Sequence, residues 1–283
     1  MSEGLDQRSA GHDDRRVDRL RRFRRIPMRF VIPNLVTLLA LCLGLTGIRF
    51  AAEGRFEYAV YAIVFAAILD GLDGRIARAL EGTSRFGAEL DSLADFVDFG
   101  VAPAMLLYFW ALHEHRSLGW IAVLIFAIAA ALRLARFNVM AEDPNRPAWM
   151  SHFFVGMPAP AGAVLVMLPL YLHLGLGLPQ DPFYVRFEIA YVLLVAFLMA
   201  SRIPHFSGKK IGRVPRDWFV PVLLGAIAVL LLIFTYPAQM LIVLSLAYLG
   251  LIPLSVHRYL AYQRADQLAE EAKTASSPPS GSV

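Results

Sequence analysis

The sequence has a single cysteine, very few lysines and two long stretches with no charge at all. Cys42 stands alone in an apolar run, so an intrachain disulfide is excluded, and no CxxC or Cys/His cluster offers a zinc site. It reads as a small buried hydrophobe. Lys209, Lys210 and Lys273 are the only lysines among 27 basic residues, so arginine abundance carries no functional weight here, whereas arginine position does. Residues 147–180 and 218–256 contain no Asp, Glu, Lys or Arg. An apolar run beyond about 18 residues is long enough to cross a bilayer. Charged residues make up 18% of the chain and hydrophobic ones 57%, against about 25% charged in soluble domains. A soluble globular protein is excluded.

What is present is arranged in three parts. Residues 1–29 form a basic arm with Arg15, Arg16, Arg19, Arg21, Arg22, Arg24, Arg25 and Arg29 close together. The basic stretch is too long for a signal peptide, and it reads as a cytoplasmic juxtamembrane arm beside anionic headgroups. No nucleic-acid-binding module follows it, so nucleic acid is not a partner. Eight apolar segments come next, near 33–52, 57–80, 86–112, 117–137, 158–177, 184–202, 218–236 and 238–260. At about 1.5 Å per residue each can cross a hydrocarbon core of about 30 Å. Only helices satisfy their own backbone in lipid, and the alternation of a β-barrel is missing. The expected fold is an all-α polytopic bundle of eight transmembrane helices, its membrane domain spanning 30–264, with a disordered cytoplasmic tail over 265–283. Basic residues gather in the arm, in the even-numbered connections (Arg85; Arg146; Lys209, Lys210, Arg213, Arg216) and at the carboxyl end. The positive-inside rule therefore puts both termini in the cytoplasm.

Against that hydropathy, acids stand inside or beside apolar helices. Span two runs into Asp70 and Asp73, and span three carries Asp91, Asp95 and Asp98. A mid-span acid costs about 2.5–3.5 kcal/mol on insertion scales, so it is kept for pairing, a wet cavity or a ligand. Spacings of three (Asp70, Asp73) and four (Asp91, Asp95) put each pair on one helical face. Gly74, Ala77 and Gly87 leave little bulk beside them. A short cytoplasmic turn joins the two spans antiparallel, which places both pairs at one depth. Four facing carboxylates repel strongly unless cations lie between them, and hard oxygen ligands suit Mg²⁺ or Mn²⁺, one ion or two. The plainer reading is a salt-bridge network with Arg75, Arg78 and Arg85. Four acids in two facing pairs beside small residues weigh against it. An ion-coupled transporter is the rival of another class, but the acids sit near one face and no inverted repeat is evident.

The run Asp70-x2-Asp73-Gly74-x2-Ala77-Arg78-x8-Gly87-x3-Asp91-x3-Asp95 resembles the signature of the CDP-alcohol phosphotransferase family at every position. The resemblance implies a cytoplasm-facing cavity in which a CDP-linked lipid meets an alcohol. It implies that Asp70, Asp73 and Asp91 hold the metal, and that Asp95 both touches metal and acts as general base. Gly74, Ala77, Arg78, Ser84 and Gly87, with Asn34 and Thr37 at the start of span one, would surround the CDP-lipid. A homodimer in the cell membrane is also implied.

Further segments resemble the membrane-spanning phosphatidylserine synthases of bacteria and archaea. They are Ile32–Thr37, Phe86–Asp95, Phe99–Pro103, Ala131–Asn138 and Phe154–Pro160. The implied reaction joins CDP-diacylglycerol and L-serine into phosphatidylserine and CMP. Glycerol 3-phosphate or inositol phosphate as acceptor is the alternative, though a phosphorylated alcohol wants more basic residues than Arg133 and Arg136 supply. Those two arginines end span four on one face, with Asn138 nearby. They suit the serine carboxylate or the phosphates, or serve only as anchors at a helix carboxyl end. Asp98 departs from the serine-synthase pattern, where a neutral residue is usual. A salt bridge to a basic loop is the favoured reading for it, and contact with the serine ammonium the other. His113 and His115 flank Glu114 on an external connection and read as surface residues.

Overall fold

A computed structural model describes residues 28–141, 153–179, 181–206 and 235–276, with short helical pieces at 221, 224–225 and 231–232. The helices are α1 (Met28–Ala52), α2 (Phe56–Ala79), α3 (Arg85–Trp110), α4 (Arg116–Ala141), α5 (Ala159–Val166), α6 (Leu168–Leu176), α7 (Pro182–Ala200) and α8 (Pro237–Ser276). One small antiparallel ribbon interrupts the all-α plan, pairing β1 (Phe153–Val155) with β2 (Pro204–Phe206). The arm up to residue 27, Arg146, His152, Lys209, Lys210, Arg213, Arg216, most of the 218–236 segment and residues 277–283 lie outside the described residues. The last helix continues past residue 264, where the membrane domain was expected to end.

Helices α1, α3, α4, α7 and α8 are long and apolar enough to cross a membrane, and the bent pair α5–α6 makes a sixth. Eight were expected from the sequence. The difference falls on α2, which carries Asp70, Asp73 and Arg75 beside its apolar run, and on the segment near 218–236, most of which lies outside the described residues. The protein is a helical, multi-pass membrane bundle, with large apolar side chains such as Leu35, Leu39, Ile128 and Phe197 exposed on its outside. Cys42 is exposed as well, on an outer face of α1 rather than in the core the sequence suggested.

The most extensive pairing is α1 against α2. It follows from a seam of small residues on α1, where Thr37, Ala40, Gly44, Gly47 and Ala51 are buried at helical spacing. Without a hydrophobic drive in lipid, helices gain contact by close approach over such residues. A Cβ at Gly47 would lie 3.2 Å from Ile63 of α2. The α5–α6 bend of 43° has an identifiable cause. Pro169 at the start of α6 lacks the N–H that would bond Leu165, and the Tyr191 hydroxyl of α7 donates to that carbonyl instead (2.8 Å). Gly156 ends β1 at φ 81° and donates to Ile203 (3.0 Å). That left-handed turn lets the Phe154–Pro160 segment swing from the ribbon into α5.

Candidate active site

The acids sit where α1, α2 and α3 meet. The turn after α2 ends at Ser84, which caps α3 by accepting from the Gly87 N–H (3.0 Å). Gly82 in that turn has no room for a side chain, because a Cβ would collide with the Arg29 carbonyl at the start of α1. The close approach brings the first turns of α1 over the α2–α3 hairpin. Thr37 then lies within hydrogen-bond distance of both Pro33 O (3.1 Å) and Asp73 Oδ2 (2.6 Å). Its single proton goes to the nearer acceptor, Asp73, which fixes the orientation of that carboxyl group.

Carboxylate oxygens of Asp70, Asp73 and Asp91 lie within 4.8 Å of one another, with Asp73 buried and the other two half-buried. Metal–oxygen bonds for hard divalent ions run about 2.0–2.6 Å, so one ion fits among all three. None of the four acids pairs with Arg75, Arg78 or Arg85 among the described residues; the ion pairs present join Glu53 to Arg49 and Arg55. The salt-bridge reading of the cluster is therefore set aside. Asp95 stands beside this trio rather than in it. Its carboxyl group is within hydrogen-bond reach of Asp70, and its Oδ1 is buried with no hydrogen-bond partner. A buried oxygen left open this way is costly unless something binds it.

A cleft of about 140 Å³ opens next to Asp73 and Asp91, and all seven residues singled out for the CDP-lipid line it: Asn34, Thr37, Gly74, Ala77, Arg78, Ser84 and Gly87. Residues from three separate elements thus converge on one space. Gly87 makes the convergence possible, since a Cβ there would lie 2.9 Å from Asn34 Oδ1 and 3.2 Å from Ser84 Oγ.

The α4 residues divide. Arg133 is buried, its guanidinium over the Phe137 ring (5.2 Å), within electrostatic reach of Asp95, Asp70 and Tyr248. Arg136 is committed elsewhere. It donates to Ser201 O (2.8 Å) and Ala200 O (2.6 Å) and so closes the open carboxyl end of α7. Asn138 donates to Ser92 Oγ (2.9 Å) and ties α4 to α3.

Asp98 shows no salt bridge among the described residues, and the basic connections at 146 and 209–216 lie outside them. Asp98 is 1% exposed, and its Oδ1 has no hydrogen-bond partner. It lies in a π-helical turn, Phe96–Val101, that breaks the α-helical stripe after Asp95. There it packs against Gly44 of α1, where a Cβ would collide with Oδ1. Tyr248 was missed altogether. This α8 residue buries an unpartnered hydroxyl near Arg133 and stacks on His205 (5.9 Å, 11°). His205 lies in β2, outside the spans. Its Nδ1 donates to Ile203 O (2.8 Å), and burial pushes its proton affinity below the usual imidazole range. A lone tyrosine in an apolar run gives the sequence no signal.

Known proteins resemble this chain in sequence. A CDP-diacylglycerol--serine O-phosphatidyltransferase of Mycobacterium leprae is 43% identical over 233 residues, 82% of this chain and 77% of that protein. Proteins of the same name from Mycobacterium tuberculosis (53% over 134 residues, 47% of this chain and 46% of the relative) and Helicobacter pylori (35% over 220 residues, 78% and 88%) are similar too. The CDP-alcohol phosphatidyltransferase family model matches residues 30–200, a stretch that holds the acid cluster, the cleft and Arg133, and the chain belongs to that family.

Proposed function

We propose that the protein transfers the phosphatidyl group of CDP-diacylglycerol to L-serine, giving phosphatidylserine and CMP. The observation that carries this reading is the open edge between three converging carboxylates and a cleft built of small and polar residues. The serine hydroxyl oxygen attacks the phosphorus that bears the diacylglycerol, and the bond from that phosphorus to the CMP oxygen breaks. Asp95 takes the hydroxyl proton, with its unpartnered Oδ1 as the receiving atom. Asp70, Asp73 and Asp91 hold Mg²⁺ or Mn²⁺, one ion or two, with Asp95 beside them; when bound, the cation supplies positive charge to the diphosphate and the departing CMP. Thr37 keeps Asp73 turned toward that position. Gly74 and Gly87 let the nucleotide approach the backbone, and Arg78, Ser84 and Asn34 offer it polar contacts. Of the two α4 arginines, Arg133 is the one left for the serine carboxylate. With Arg136 spent on α7, little positive charge remains among the described residues for a second phosphate, which favours serine over glycerol 3-phosphate or inositol phosphate.

The same reading places eight spans in the cell membrane, α2 among them because its acids face the site. Both termini and the cleft face the cytoplasm, where CDP-linked donors and serine are soluble or reachable. The 1–29 arm lies on anionic lipid, the 30–264 domain carries the reaction, the 265–283 tail is cytoplasmic, and two chains form a homodimer.

One assay decides the reaction: purified protein, CDP-diacylglycerol and Mn²⁺ with each alcohol in turn, reading CMP release. Release that requires serine is expected. Release with inositol phosphate or glycerol 3-phosphate but not serine overturns the acceptor, and no release with any alcohol overturns the enzyme in favour of a carrier.

A further inference from the structure

A second pocket lies at the far end of the bundle from the acids. Trp110 closes α3 roughly 28 Å beyond Asp91 at about 1.5 Å per residue. With His173 of α6 and Tyr184, Phe187, Glu188 and Tyr191 of α7 it lines a cavity of about 110 Å³. Glu188 is 6% exposed, and its Oε2 has no hydrogen-bond partner. Among the described residues, the charge within electrostatic reach of it is another acid, Glu114. A carboxylate buried without a counter-charge costs several kcal/mol, so the site either keeps a proton or takes a cation.

We propose that this pocket binds the ammonium headgroup of a membrane lipid, with Glu188 as counter-charge and the aromatic rings as walls. Aromatic faces attract diffuse, weakly hydrated cations, and a carboxylate among them selects an amine. A divalent metal needs several oxygen ligands, and Glu188 belongs to no cluster of three metal-binding groups among the described residues. His173 donates from Nδ1 to Leu178 O (2.7 Å), which leaves Nε2 of the neutral ring as a second acceptor. The mouth explains why the amine arrives on a lipid. Tyr184 and Phe187 are exposed at 38% and 63%, beside Phe183 at 76%. An apolar, aromatic rim of this kind at one end of a membrane bundle meets the headgroup zone, with acyl chains along α7.

The inference does not depend on the reaction proposed above, and its test needs no turnover. Detergent-purified full chain is delipidated, incubated with phosphatidylethanolamine or its N-acetylated form, and read by native mass spectrometry. Wild type is expected to retain the free-amine lipid about tenfold better, and Glu188→Gln to lose the difference. Phe187→Leu, on the exposed rim, is expected to weaken retention several-fold while leaving the fold intact. Equal retention of the two lipids by wild type overturns the proposal without recourse to any variant. Displacement by millimolar free ethanolamine overturns the lipid assignment, because the occupant is then a soluble amine.

Discussion

Both ends of the bundle bury carboxylate, yet in opposite company. At one end Asp70, Asp73, Asp91 and Asp95 crowd together among glycines, a threonine and a buried arginine. At the other, Glu188 is the one carboxylate lining a pocket with Trp110, Tyr184, Phe187 and Tyr191, with Glu114 within electrostatic reach. Crowded acids repel so strongly that only a cation of high charge density can lie between them. One acid walled by aromatic faces suits a single diffuse charge. The kind of cation therefore follows from the surroundings and not from the carboxylate itself.

Removing divalent metal is the widest wedge between the two ends. Chelation with EDTA is expected to take CMP release to background, with recovery on adding Mg²⁺ or Mn²⁺, while lipid retention at the Glu188 pocket stays unchanged. Activity that persists in chelator means Asp70, Asp73 and Asp91 hold no essential ion. Loss of lipid retention in chelator means the two ends are not chemically distinct.

Within the acid end, Asp95 and the trio beside it are expected to separate. Asp95→Asn keeps the side-chain volume and removes the proton acceptor, so turnover falls about 10²–10⁴-fold with the melting temperature unchanged. A wild-type rate removes Asp95 as the base. Gly87→Ala probes the cleft more gently. Its Cβ would press on Asn34 Oδ1 at 2.9 Å and Ser84 Oγ at 3.2 Å, two groups placed at the CDP-lipid. KM for CDP-diacylglycerol is expected to rise about tenfold, the loss of roughly 1.4 kcal/mol of binding, with KM for serine unchanged. A rise confined to serine puts the nucleotide elsewhere.

The same contrast decides what could be read from the sequence. Acids at spacings of three and four, beside Gly74, Ala77 and Gly87, announce a shared face before any coordinates exist, and α1–α3 fold as that spacing requires. The cleft residues Asn34 and Thr37 were reachable only through resemblance, because Thr37 meets Asp73 across 36 positions of sequence. Arg136 shows the limit on the other side. Its spacing from Arg133 is that of a shared face, yet the carbonyl ends of α7 claim it, and no local pattern reveals which helix end lies opposite. Glu188 and Tyr248 belong to no polar spacing pattern along their helices, and their meaning rests on which helices surround them.

Asp98 lies between the two cases, and the smallest expected effect belongs to it. It is one turn beyond Asp95, close enough to be counted with the acids, but the π-helical turn sets it against Gly44 of α1. Its Oδ1 has no partner there, so a charge at this position would destabilise the α1–α3 contact. Asp98→Asn keeps the shape and removes the ionisable group. CMP release is expected to stay within about threefold of wild type, and the melting temperature to rise by roughly 2–4 °C per kcal/mol regained. A tenfold or greater loss of turnover with the fold intact makes Asp98 a member of the reaction centre, and the acid end then reaches a full turn deeper into the bundle than the trio and Asp95 mark out.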